Sequence, residues 1–194
     1  MPDNYDVAFS AIRIRNTRSR HQDTLWIRIS VSVDGQDRGT ANWDGTGGRD
    51  KNNGYFDGLR NAQGKLIGVS TGPITDGSAV KVSFLVLNSG HTPNEKAYSD
   101  ALAAISSAAT TYGGLWGYLI GSLTAVASLF VGANCDGPVA ADAFTVTGKQ
   151  IREGINVHPY YNWVNPSGYI GPNSPQGCGS NSNYDAVVQF TRHS

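Results

Sequence analysis

Charge is the scarcest commodity in this chain of 194 residues. Only 15% of the residues are charged, against the usual quarter, and 15 Lys and Arg cancel 15 Asp and Glu. A zero balance excludes a protein that binds nucleic acid through bulk charge, which needs a basic excess to release counterions. Glutamate is nearly missing, with Glu95 and Glu153 alone, so a carboxylate pair for acid–base chemistry would have to be two aspartates, and no spacing selects two. The four histidines, His21, His91, His158 and His193, are scattered. There is no H-E-x-x-H, no G-x-S-x-G, no phosphate-binding Gly-Lys-Ser/Thr loop and no dinucleotide fingerprint. The expectation is a protein without catalysis and without a cofactor.

Two cysteines are present, Cys135 and Cys178, each set among Gly and Asn. Joined, they would close a loop of roughly forty residues and stabilise the fold by about 3–4 kcal/mol in the chain-entropy account. Unpaired thiols in a reducing compartment are the alternative, and both stand at this point. Met1-Pro2-Asp3-Asn4-Tyr5 has neither a basic start nor an apolar stretch. Cytosolic residence, export without a leader and a trimmed start stay open.

What the chain does have is glycine, 24 residues of it, and a strand-like alternation between turns. Tyr5, Val7 and Phe9 share one parity and Ile12 and Ile14 the other, which a bulge near Ser10-Ala11 would reconcile. Leu25, Ile27, Ile29, Val31 and Val33 alternate with Thr24, Trp26, Arg28, Ser30 and Ser32, a strand with one buried face, closed by the turn pair Asp34-Gly35. A short strand is expected over Arg38 to Trp43 and another over Leu66 to Ser70. Ala79 to Asn88 is apolar on both faces near its end, the mark of a central strand covered on both sides. Further strands are expected over Ala140 to Thr147 and Asp185 to Arg192, with a long loop from Ile155 to Asn183. Strands, helices and strands again imply a single domain over 1–194. Its expected form is a mainly β, antiparallel β-sandwich with a two-helix hairpin inserted at about 94–131.

No charge occurs from Ala101 to Ala133, and Leu115 to Ala133 is long and apolar enough to cross a bilayer. Gly113, Gly117, Gly121 and Ala125 recur every fourth position, the spacing of close-packed membrane helices. Trp116, Tyr118 and Phe130 add rings, of which Trp and Tyr favour membrane interfaces and equally fill soluble cores. Glycines in a helix cost about 1 kcal/mol each relative to Ala, so they require a packing reason. Three settings satisfy the pattern: a core helix, a hairpin stored on the sandwich and released into a bilayer, or a permanent anchor. The last ranks lowest, because the first helix carries Ser99, Asp100, Ser106, Ser107, Thr110 and Thr111.

Three secondary features carry chemistry. Arg13, Arg15, Arg18 and Arg20, with Arg28 expected to pair beside them, suit phosphate, sulfate or anionic headgroups, because guanidinium forks onto oxyanions. A solvated face offset by Asp3, Asp6 and Asp23 is the plainer reading. Asp34, Asp37, Asp44, Asp50 and Asp57 invite a Ca²⁺ site, yet Asp50-Lys51-Asn52-Asn53-Gly54 lacks the glycine and glutamate positions of a calcium loop, and turn formation explains them better. Tyr160, Tyr161, Trp163 and Tyr169, joined by Trp43 and Tyr55, could stack on sugars or pin a long loop. The functional expectation is a membrane-interacting, toxin-like and pore-forming protein that meets a lipid bilayer or anionic headgroups. A glycan-binding module and an assembly subunit, including a homo-oligomer, are the alternatives.

Overall fold

Two antiparallel sheets face one another, and a helix covers the outside of one of them. The structure is a computed structural model and describes residues 2–16, 24–44, 55–56, 59–60, 63–89, 95–111, 137–154, 160–164 and 183–193. In chain order the strands are β1 (Tyr5–Asn16), β2 (Leu25–Val33), β3 (Gln36–Asp44), β4 (Tyr55–Phe56), β5 (Gly68–Ser70) and β6 (Ala79–Asn88). Helix α1 (Glu95–Thr111), β7 (Gly137–Thr147), the short helix α2 (Gly148–Arg152), β8 (Tyr160–Val164) and β9 (Asn183–Arg192) follow. Sheet 1 runs β4-β1-β9-β8, with β5 also on β1; sheet 2 runs β3-β2-β6-β7. The chain is a mainly β antiparallel sandwich, as the alternation implied.

The core between the sheets is built from alternate residues. The expected bulge in β1 is present: the register against β9 shifts between Phe9 and Ala11. One extra residue turns Ile12 and Ile14 to the face already occupied by Tyr5, Val7 and Phe9, and all five are buried. Leu25, Ile27, Ile29, Val31 and Val33 of β2 bury as a set from the other side. The sheets meet through edge-to-face rings, Phe9 on Phe84 at 5.1 Å and Phe144 on Phe190 at 6.4 Å. The β2–β3 turn has positive φ at Asp34 (52°) and Gly35 (79°), the left-handed pair that matches strand twist. The Asp34 carboxylate accepts the Ala79 N–H at 2.8 Å, so the turn also holds the start of β6.

The two termini are tied together by charge. Asp3 pairs with Arg192 at 2.5 Å and Arg152 at 3.1 Å, and Arg152 reaches Asp76. Asp6 pairs with His193. Asp3 and Asp6 therefore serve this clamp and not the arginine-rich turn they were expected to offset. Helix α2 opens with a reciprocal Thr147–Gln150 capping box, a signal that was legible in the sequence but not used.

Two expectations change. β3 is longer than expected, because Gln36 and Asp37 pair directly out of the tight turn. The segment expected to loop from Ile155 to Asn183 contains β8, whose Tyr160–Val164 backbone pairs with β9; aromatic and β-branched residues favour a strand even between Pro- and Gly-rich flanks. Of the two-helix hairpin, the first arm is α1; Leu115 to Val131 lies outside the described residues.

A Cβ on Gly148 would lie 1.9 Å from the Thr75 carbonyl oxygen, so Gly148→Ala should destabilise the fold by about 1–3 kcal/mol in urea denaturation. Asp142 pairs with Phe84 and thus stands on the inter-sheet face of β7. Burial raises its pKa to about 7, although its carboxylate accepts the Ala143 N–H. The folded state then holds this proton more tightly than the unfolded chain, where Asp titrates near 3.8. Stability attributable to Asp142 should fall by about 2–4 kcal/mol as pH rises from 4 through 7. Asp142→Asn should abolish that loss, read as urea midpoints at pH 5 and pH 8.

Candidate functional site

The outer face of sheet 2 is where the sequence places its polar alternates, and the strand register arranges them in rows. Asp37, Ser32, Lys81 and Thr145 form one row across the four strands. Thr40, Ser30, Ser83 and Ala143 form the next, and Asn42, Arg28, Leu85 and Ala141 the third. Trp26 and Leu87 stand beyond them. The face grades from hydroxyls and charge at one end to apolar side chains at the other.

Helix α1 lies on the apolar end. Its residues Tyr98, Ala101, Leu102 and Ile105 follow helical i, i+3, i+4, i+7 spacing. They bury against Leu85, Leu87, Ala141 and Ala143, with Trp26 at the margin. This cluster is separate from the inter-sheet core. The Tyr98 hydroxyl lies 2.8 Å from the Trp26 carbonyl and 3.1 Å from that of Leu85, which fixes the helix to two strands.

Arg28 crosses from the sheet to the helix. Its Nε donates to the Asn42 side-chain oxygen Oδ1 at 2.7 Å, Nη1 to the Ser99 hydroxyl at 3.1 Å and Nη2 to the Glu95 carboxylate at 2.5 Å. Its guanidinium carbon lies 4.4 Å from the Tyr98 ring centre. The Arg28 side chain is only 7% exposed while Glu95 is 78% exposed, so the carboxylate stays wet and the guanidinium is sealed.

Over the polar rows the helix leaves a groove of about 790 Å³, floored by Ser30, Ser32, Thr40 and Ser83 and walled by Ala103 and Ser106 of α1. Lys81 rises from the floor, half-buried, and its ammonium donates to the Ser106 carbonyl. Burial pushes its pKa below the ordinary lysine value. Among the described residues no carboxylate pairs with it.

The residues singled out by sequence are thus dispersed. Arg13 is exposed on β1, opposite Tyr55 and Asp185 in the register. Arg15 contributes its backbone to β1, and Arg18 and Arg20 lie outside the described residues. Arg28, on the opposite sheet, does not join Arg13. β1 and β2 follow one another in sequence but sit in opposite sheets, so no hairpin brings their arginines together. Tyr160, Tyr161 and Trp163 belong to β8 and not to a loop, and Trp43 packs against the inter-sheet core. Tyr169 lies outside the described residues, as do Cys135, Cys178, Gly113, Trp116, Gly117, Tyr118, Gly121, Ala125 and Phe130. Asp34 and Asp37 spend their carboxylates on the Ala79 and Gly39 amides, the turn-forming role.

Lys81 was missed, although it stands between Val80 and Val82 as the one charged residue of its strand. The clue was a lysine on the same parity as Ser83, facing the polar alternates of β2. No described helix is long and apolar enough to cross a membrane. No family model matches the sequence, and a search of curated proteins finds no relative.

If α1 is a layer that docks by itself, loosening it should leave the sandwich unchanged. Tyr98→Phe removes the hydroxyl shared by two strand carbonyls and should cost about 1.4 kcal/mol of docking. Hydrogen exchange should then run about tenfold faster at the amides of Ala101 to Ile105, with protection in β1, β2 and β9 unaltered.

Proposed function

We propose that the protein is a non-enzymatic, membrane-interacting, toxin-like sandwich that lifts its helical insertion, about Ala97 to Val131, from sheet 2 and presents it to a bilayer. The observation that carries this reading is the position of α1: it rests on an outer face through a small cluster of its own, while the inter-sheet core closes without it. Lifting α1 exposes five large side chains, Tyr98, Leu102 and Ile105 of the helix and Leu85 and Leu87 of the sheet. At about 1.5–3 kcal/mol each for burial, the cost is a fraction of what holds the two sheets. A helix wedged into the main core would carry a much larger penalty.

The charge pattern supports the same direction of movement. All charges of α1 fall between Glu95 and Asp100, with Lys96 and Asp100 paired at 2.5 Å on the exposed side. From Ala101 to Ala133 none follows. The charged end suits the headgroup region, and the uncharged remainder suits hydrocarbon, where a charge is expensive. Glycines at 113, 117 and 121 would then let neighbouring copies approach closely, the arrangement a pore requires. The glycan reading has weaker support, since three of its rings belong to a paired strand and Trp43 is half-buried.

Dye release from liposomes tests the proposal. Wild-type protein should release dye. The Gly117→Leu, Gly121→Leu double variant should release it at least about tenfold more slowly, as expected if close helix packing is required. Tyr98→Phe, which weakens docking, should speed release. Absence of leakage from neutral and anionic vesicles alike, between pH 5 and pH 8, would end the membrane reading. Assembly seen by sedimentation without any lipid would favour the subunit alternative.

A further inference from the structure

The groove beside α1 is not used by the membrane reading, and its floor is unusual. Sheet faces that a helix covers are apolar as a rule, and a charge placed there is paired. Arg28 obeys that rule through Glu95. Lys81, two rows away on the same face, pairs with no carboxylate among the described residues: the Ser106 carbonyl is its hydrogen-bond partner there, and an ammonium has three donors to satisfy. Asp37 shares its row, but β2 stands between them and the Asp37 carboxylate accepts the Gly39 N–H.

Around Lys81 the register places hydroxyls on three sides. Ser32 and Thr145 are its direct cross-strand neighbours, and Ser83 lies two residues along β6. In a sheet such neighbours stand about 5 Å apart across strands and about 7 Å along one. The groove volume, about 790 Å³, is that of a small-molecule site, and its lining mixes hydroxyls with the apolar Ala79, Leu102 and Ala103 and the Asp37 carboxylate. A ligand that satisfies Lys81 brings negative charge to the ammonium and accepts from the hydroxyls beside it. A tetrahedral oxyanion accepts from several directions at once and matches donors arranged around one cation.

We infer that the groove between α1 and sheet 2 binds a phosphate group, with Lys81 as its charge partner and Ser32, Ser83 and Thr145 as hydroxyl donors. Arg28 does not contact the ligand; its guanidinium is committed to Asn42, Ser99 and Glu95 and holds the groove wall in place. The phosphate of a soluble metabolite and that of a lipid headgroup offer the site the same chemistry, and the probes below tell them apart. The site does not depend on α1 leaving the sheet.

The test uses the full chain and two soluble probes, inorganic phosphate and glycerophosphoglycerol, followed by amide chemical shifts. Either probe should give saturable shifts at Ser30, Ser32 and Ser83. Lys81→Met, which keeps the apolar stem, should weaken binding at least about tenfold, and Lys81→Arg should restore most of it. Ser32→Leu, which fills the floor and leaves the charge, should also abolish binding, and it keeps the question decidable if Lys81→Met fails to fold. Tighter binding of glycerophosphoglycerol assigns the site to a lipid headgroup; equal binding assigns it to free phosphate. No saturable shift with either probe, or full affinity in Lys81→Met or Ser32→Leu, overturns the site. Leakage of anionic vesicles in that circumstance would leave the membrane proposal standing alone.

Discussion

Strand β6 is apolar on both faces, and that one constraint organises the rest. Val80, Val82, Phe84 and Val86 point between the sheets, while Leu85 and Leu87 point the other way. A single sheet-on-sheet contact can bury only the first set. The second needs another cover, and α1 supplies it on the outer face. The fold is therefore three layers deep at this strand: sheet 1, sheet 2 and the helix. Each cover has its own cluster of apolar side chains, so the two can fail separately.

The outer cover is incomplete by composition. Leu85 and Leu87 attract the helix to one end of the face, while Lys81 and Ser83 at the other end of the same strand present polar groups to it. The helix consequently seals Arg28 and leaves a groove over the hydroxyl rows. Arg28 can be sealed because its planar guanidinium reaches a wet carboxylate, an amide and a hydroxyl together. Lys81 has no such arrangement. The contrast between two cations on one sheet face is what separates a structural side chain from a candidate ligand partner.

Much of the fold was legible because burial on one face of a strand imposes a period of two. The β1 bulge follows from a change of parity between Phe9 and Ile12, and the reach of β2 from its five alternate aliphatic residues. The site was less legible. An arginine patch joining Arg13 and Arg28 assumed that consecutive strands form a hairpin. The chain instead passes from one sheet to the other between Asn16 and Leu25, and proximity in sequence became separation in space. β8 was hidden because its five residues lie among turn formers, and only pairing with β9 makes them a strand.

Sequence alone determined which faces are buried, where the central strand lies and where the charge stops, because these depend on the local order of apolar and polar residues. Only the tertiary structure decided which strands share a sheet, that Arg28 belongs beneath α1 and that Lys81 stands beside hydroxyls with no carboxylate paired to it among the described residues. Those facts depend on register between segments far apart in the chain. A pattern read one residue after another holds no information about which strand will lie beside it.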